Sequence, residues 1–98
     1  MSCQSKLKTL IADNFVVYFK SHVYHLNVVG PDFQQYHALL KEVYETLFDW
    51  HDTLNEQLRQ MDVMCDTSLK QYADLTNFNL ENKGKDWKGM LSDTADAR

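Results

Sequence analysis

From Ser5 to Val29 the chain has neither glycine nor proline, and the run is broken by Gly30-Pro31, after which the next glycine is Gly84. A Gly-Pro pair stops a helix and cannot continue it. On either side of this break, apolar residues recur at helical spacing. They run through Leu7, Leu10, Ile11, Val17, Tyr18, Tyr24 and Val28 before it, and through Tyr36, Leu40, Val43, Leu47, Trp50, Leu54, Leu58 and Met61 after it. The pattern predicts a first long helix over 5–29, a turn in which Asp32 serves as N-cap, and a second long helix over 33–61.

Both helices are apolar on more than one side. Ala12, Phe15, Val16, Phe19, Val23 and Leu26 add a second stripe to the first, and Leu39, Tyr44 and Phe48 widen that of the second. Beyond Met61 the apolar signal is thinner: a short helix over 68–75, a polar segment over 77–85, and a tail over 86–98 with Trp87, Met90 and Leu91 as its anchors, enough for a short helix. The 98 residues form a single domain that supplies no third and fourth long helix to cover these faces. The missing core surface must then come from another chain, through a homo-oligomer that is a dimer at least. The expected fold is all-α, a long antiparallel hairpin plus a short connecting helix that completes a four-helix bundle by association. The methionine and aromatic stripes are read as core.

Composition narrows the function. No apolar run is long enough to span a bilayer and the first residues lack the apolar region of a signal peptide, which predicts a cytoplasmic protein with no membrane partner. Cys3 and Cys65 fit no ligand or disulfide pattern and read as reduced thiols. The net charge of −4 is concentrated in Glu42, Glu45, Asp49, Asp52, Glu56, Asp62 and Asp66, against Arg59 alone in that stretch. Such a run attracts cations rather than phosphates. With the lysines spread thinly elsewhere, nucleic-acid binding is not expected.

Histidines flank the turn. Positions 25 and 37 are symmetric about Gly30-Pro31, so antiparallel packing sets the two imidazoles side by side. A single histidine near a helix end is ordinarily a solvated or hydrogen-bonded side chain, and an Asp52-x-x-x-Glu56 pair is common on an acidic helix. The four together read differently. Asp52 and Glu56 share a helix face, but Asp52 lies roughly 22 Å along the second helix from His37, so one chain cannot bring all four to one ion. Two second helices packed antiparallel across a twofold axis would bring the histidine pair of one copy to the carboxylate pair of the other, twice per dimer. Two imidazoles and two carboxylates suit iron(II), with zinc and manganese as competitors. His22, one turn before His25, is a candidate for the surrounding shell, and His51 points about 100° away from Asp52.

These residues carry a resemblance. The stretch from Asn14 to Phe33, containing H-x-N-V-x-G-P-x-F, followed by His37, Asp52, Glu56 and the segment Ser68 to Leu75, resembles the Dps family of ferritin-like proteins over roughly residues 5 to 76. The resemblance implies a ferroxidase centre between twofold-related subunits, with His25 and His37 from one chain and Asp52 and Glu56 from the other. There are departures. Lys41 stands where the family usually has an acid, which places an ammonium near the second iron position and argues against a two-iron centre. The chain also stops where the family's third long helix would begin, so this reads as a truncated, half-length version whose missing helices another protein could supply. Two functions are expected in order: an iron-binding ferroxidase using peroxide or oxygen, or a non-catalytic helical module for self-association or protein interaction.

Overall fold

A computed structural model describes residues 2–28 and 33–82, and shows three helices: α1 (Cys3–Asn27), α2 (Phe33–Gln60) and α3 (Leu69–Leu75). α1 lies along α2 as a hairpin and also packs against α3. The expected helical tail over 86–98 and the Asp32 cap lie outside the described residues.

The helix ends are explained by their caps. Ser2 accepts the Ser5 amide through Oγ at 3.1 Å, so α1 begins at Cys3 rather than at Ser5. At its other end the extended backbone of Val28 closes the helix, its amide donating a hydrogen bond to the Tyr24 carbonyl at 2.9 Å. α2 stops at Gln60 although no glycine stands there. Asp62 takes the left-handed conformation at φ 60°, the Val63 amide donates to the Leu58 carbonyl, and the Asp62 amide donates to the Arg59 carbonyl. That is a Schellman closure with aspartate in the place glycine usually holds, and Val63 packs onto the cluster around Leu58 as such a closure requires. α3 carries a capping box: Ser68 Oγ accepts the Gln71 amide, and Gln71 Oε1 accepts the Ser68 amide at 2.9 Å.

Two apolar clusters hold the hairpin, one near each end. Ile11, Ala12, Leu58 and Tyr72 join α1, α2 and α3, with Leu7, Phe15, Leu54 and Val63 packed around them. Tyr24, Val28 and Leu40, with Tyr36 against them, close the turn end. Between these clusters the contact between helices is polar and aromatic: buried Asn14 donates to the Leu47 carbonyl at 2.9 Å, and Tyr18, His22, His25 and Tyr44 are in ring contact.

Residues after α3 are strapped to α1. Asp13 Oδ1 accepts from the Thr76 hydroxyl and the Asn77 amide, both at 2.7 Å. Lys20, fully buried, donates through Nζ to the carbonyls of Asn79 and Glu81 at 3.1 and 3.4 Å. A buried ammonium is tolerated only where such acceptors replace its water.

Much of the apolar stripe stays uncovered in a single chain. Leu10, Phe19, Phe48 and Trp50 are each more than half exposed, at 51%, 53%, 59% and 55%. This is the unmet surface expected from the sequence, and it lies on both long helices. Among the described residues no helix is long and apolar enough to cross a membrane.

Candidate metal centre

The hairpin brings His25 and His37 together. His25 is buried and His37 half-buried, and their rings stack with centroids 3.6 Å apart and planes 23° from parallel. Nδ1 of His25 lies 2.6 Å from the His37 carbonyl oxygen, and Nδ1 of His37 lies 2.7 Å from the His25 carbonyl oxygen. A carbonyl can only accept, so each Nδ1 carries the ring proton and each lone pair resides on Nε2. This is the tautomer that ligates through Nε2, and a hydrogen bond from the opposite nitrogen is what ordinarily fixes a metal-binding imidazole. The two bonds are reciprocal, so each helix backbone orients the histidine of the other.

His22 belongs to a neighbouring layer. Its ring lies flat on Tyr44 at 4.1 Å and 7°, its Nδ1 is 3.3 Å from the Tyr18 hydroxyl, and its centroid is 6.4 Å from that of His25. Tyr18, His22, Tyr44, Glu45, Phe48 and Asp49 line a cleft of about 340 Å³ beside the histidine pair. Sequence reasoning assigns Tyr18 and Tyr44 to the core and misses this layer. Its signal was present in the spacing, since Tyr18, His22 and His25 recur at four and three residues on one face of α1.

Asp52 and Glu56 are exposed on α2, one turn apart, far from the histidines of their own chain. Glu42, Glu45 and Asp49 continue the same row toward the turn at alternating spacings of three and four, all exposed. Among the described residues no three side chains of His, Cys, Asp or Glu converge closely enough to hold an ion. Lys41 pairs with Glu45 one turn on at 3.8 Å, with both side chains 56% exposed, a contact worth no more than about 0.5 kcal/mol.

His51 packs inward beside Asp52. It meets Phe15 at 5.5 Å and stands edge-on to Tyr72 at 5.9 Å. Burial lowers its pKa below the ordinary 6.5, and the neighbouring Asp52 charge opposes that shift without cancelling it. Burial likewise raises the Tyr72 hydroxyl above its ordinary value.

This architecture has relatives. A ferritin-like domain model matches residues 4–97. Among curated proteins the chain is 33% identical over 78 residues to antigen TpF1 of Treponema pallidum, covering 80% of this chain and 44% of that protein. It is 36% identical over 77 residues to the DNA protection during starvation protein of Helicobacter pylori, covering 79% and 54%. Among solved structures, TpF1 superposes with a TM-score of 0.84 at 30% identity over 91% of this chain and 58% of that one. Dps from Listeria monocytogenes superposes at 0.86 and 19% identity, over 96% and 62%, a likeness of fold. The chain belongs to the ferritin-like family. Within that family its likeness is to Dps proteins, and it spans about half the length of the curated relatives it matches.

Proposed function

We propose that this chain binds iron(II) and promotes its oxidation by peroxide or oxygen at a site shared by two copies, with His25 and His37 from one and Asp52 and Glu56 from the other. The observation that carries the reading is the reciprocal histidine lock. Two rings held by each other's backbone, each with its lone pair on Nε2, are prepared for a cation and not for solvent. The carboxylates lie exposed on a helix with large uncovered apolar residues, where a second copy of α2 can reach them. Iron is the substrate, favoured here over zinc or manganese because the chain is ferritin-like. The two carboxylates would add negative charge that stabilises iron(III) more than iron(II), and so favour loss of an electron. The reading includes a cytoplasmic homo-oligomer that does not depend on nucleic acid.

A second reading, a helical association module without turnover, is favoured by one observation: Lys41 pairs with Glu45 on α2 and supplies a cation where an acid would strengthen the site. An anaerobic iron(II) titration followed by hydrogen peroxide decides between them. The wild-type chain is expected to bind iron saturably and oxidise it fast. In the Asp52→Asn, Glu56→Gln double variant both should be lost, with the oligomer unchanged by light scattering. Equally slow traces from the two proteins would leave the association module.

A further inference from the structure

We propose that the flank of the hairpin opposite the carboxylate row is a second self-association face, on which another copy of this chain packs antiparallel and completes a four-helix bundle. The inference does not use the iron reading and needs no metal.

The two apolar sides of α2 are distinct. Trp50 and Asp52 are separated by two residues, about 200° around the helix, so a copy seated on Asp52 and Glu56 leaves Trp50 uncovered. On the Trp50 side a cleft of about 300 Å³ runs between the helices, walled by Leu10, Val17, Leu47, Trp50, Leu54 and Phe78. Its two polar residues are turned to partners within the chain. Asp13 is bonded to Thr76 and Asn77, and Asn14 to the Leu47 carbonyl. An apolar occupant therefore suits this cleft better than water. Nearer the turn, the same side of α2 carries a hollow of about 290 Å³ between Val43, Thr46 and Leu47, with Leu39 and Glu42 at its edge.

These features fit each other as knob and hole. The indole of Trp50 stands 55% exposed. The hollow is centred five to six residues before it, roughly 8 Å along the helix. A twofold axis crossing α2 at Leu47 thus lays the indole of each copy over the hollow of the other, a self-complementary contact of the kind that closes helical bundles. Because Asn14 is bonded to Leu47, the same axis crosses α1 at Asn14. Leu10 and Val17 lie on either side of Asn14, so Leu10 of one copy comes opposite Val17 of the other. The indole N–H, which can only donate, meets the Glu42 carboxylate at the edge of the hollow. A twofold axis running along the hairpin would instead set Trp50 against α1 of the other copy, away from the hollow.

The face is also large enough. From Leu39 to Met61 α2 runs about 33 Å, and two packed helices are about 20 Å across. Each copy then covers roughly 650 Å² in projection and the pair buries roughly 1,300 Å², within the range of specific, stable interfaces.

Thr46 is exposed beside the hollow and next to the proposed axis, so a thiol there reports on this contact. The full chain carrying Thr46→Cys, with Cys3→Ser and Cys65→Ser to remove the native thiols, is treated with a short bismaleimide in the presence of chelator. A dimer linked through position 46 is expected, and sedimentation equilibrium of the wild-type chain in chelator should show self-association. Trp50→Glu should weaken that association roughly thirtyfold, the scale of losing one aromatic anchor, and abolish the crosslink. Phe48→Glu, on the carboxylate side, should leave the crosslink in place. Circular dichroism checks that each variant is folded, and Trp50→Gln, which introduces no charge, should weaken association in the same direction. An oligomer that gives no crosslink at position 46, or equal crosslinking with and without Trp50→Glu, would overturn the proposal. So would a monomer. In a Trp87→Phe background, a monomer whose Trp50 fluorescence resists iodide quenching would assign the cleft to the chain's own residues 83–98, and one quenched freely would show the face uncovered.

Discussion

Asp13→Ala tests the strap that ties the residues after α3 back to the hairpin. The Asp13 carboxylate accepts from the Thr76 hydroxyl at 2.7 Å, from the Asn77 amide at 2.7 Å, and from Asn77 Nδ2 at 3.3 Å. Hydrogen bonds to a charged acceptor contribute about 1.5–3 kcal/mol each, so the two short ones set an upper range of about 3–6 kcal/mol. Asn77 is exposed, and water would replace most of what its amide and side chain lose. Thr76 is 2% exposed, so water cannot readily take the place of the carboxylate its hydroxyl loses, although that hydroxyl still accepts from the Phe78 amide at 3.2 Å. The expected net loss is therefore about 2–3 kcal/mol for Asp13→Ala, and about 1 kcal/mol for Asp13→Asn, which keeps an acceptor. In urea unfolding at fixed protein concentration, with a slope near 1 kcal/mol per molar, the alanine variant should shift the midpoint down by about 2–3 M. A cycle with Thr76→Val should show a coupling of at least about 1 kcal/mol. A midpoint within about 0.5 M of wild type, or a coupling near zero, would refute the claim that this carboxylate anchors the strap.

Two further outcomes are expected, beside the iron titration. Ser68→Ala removes one half of the α3 capping box and should cost about 1 kcal/mol, seen as faster amide exchange within 69–75 while α1 and α2 exchange as before. His51 is held below its unfolded pKa of 6.5 by burial. Between the folded and unfolded values the unfolded chain binds more protons, so the contribution is complete above about pH 6.5, falls as pH drops through that value, and levels off below the folded value. Urea midpoints measured down this acid limb should decline less steeply in His51→Phe than in wild type, and parallel declines would count against burial as the cause.

The all-helical hairpin was legible in the sequence because its signals are local. Apolar spacing and Gly30-Pro31 need no knowledge of distant residues, and the approach of His25 to His37 comes from their equal distance from that break. The end of α2 was harder to read because Asp62 occupies a left-handed position for which glycine is the usual marker. The first turn of α1 was displaced because Ser2 and Ser5 are both competent caps, and only the bond from the Ser5 amide to Ser2 shows which one acts. Burial of Lys20 was not legible at all, since its acceptors are the carbonyls of Asn79 and Glu81, some sixty positions away in the chain. The tyrosine layer was hidden for a different reason. A Tyr at helical spacing looks the same whether it fills a core or lies against a histidine, and the distinction depends on how α1 and α2 are rotated about their axes.

The crossed histidine bonds make the turn a gauge of alignment between two rods. Each imidazole takes its bearing from the backbone of the opposite helix, so neither ring can be aimed independently of how far one helix has slid past the other. A slip of a single residue, about 1.5 Å, exceeds what a hydrogen bond of 2.6 or 2.7 Å tolerates and would release both rings together. The register of α1 against α2 is thus set at residues 25 and 37 by the geometry of two crossed hydrogen bonds as well as by the packing that keeps the hairpin folded.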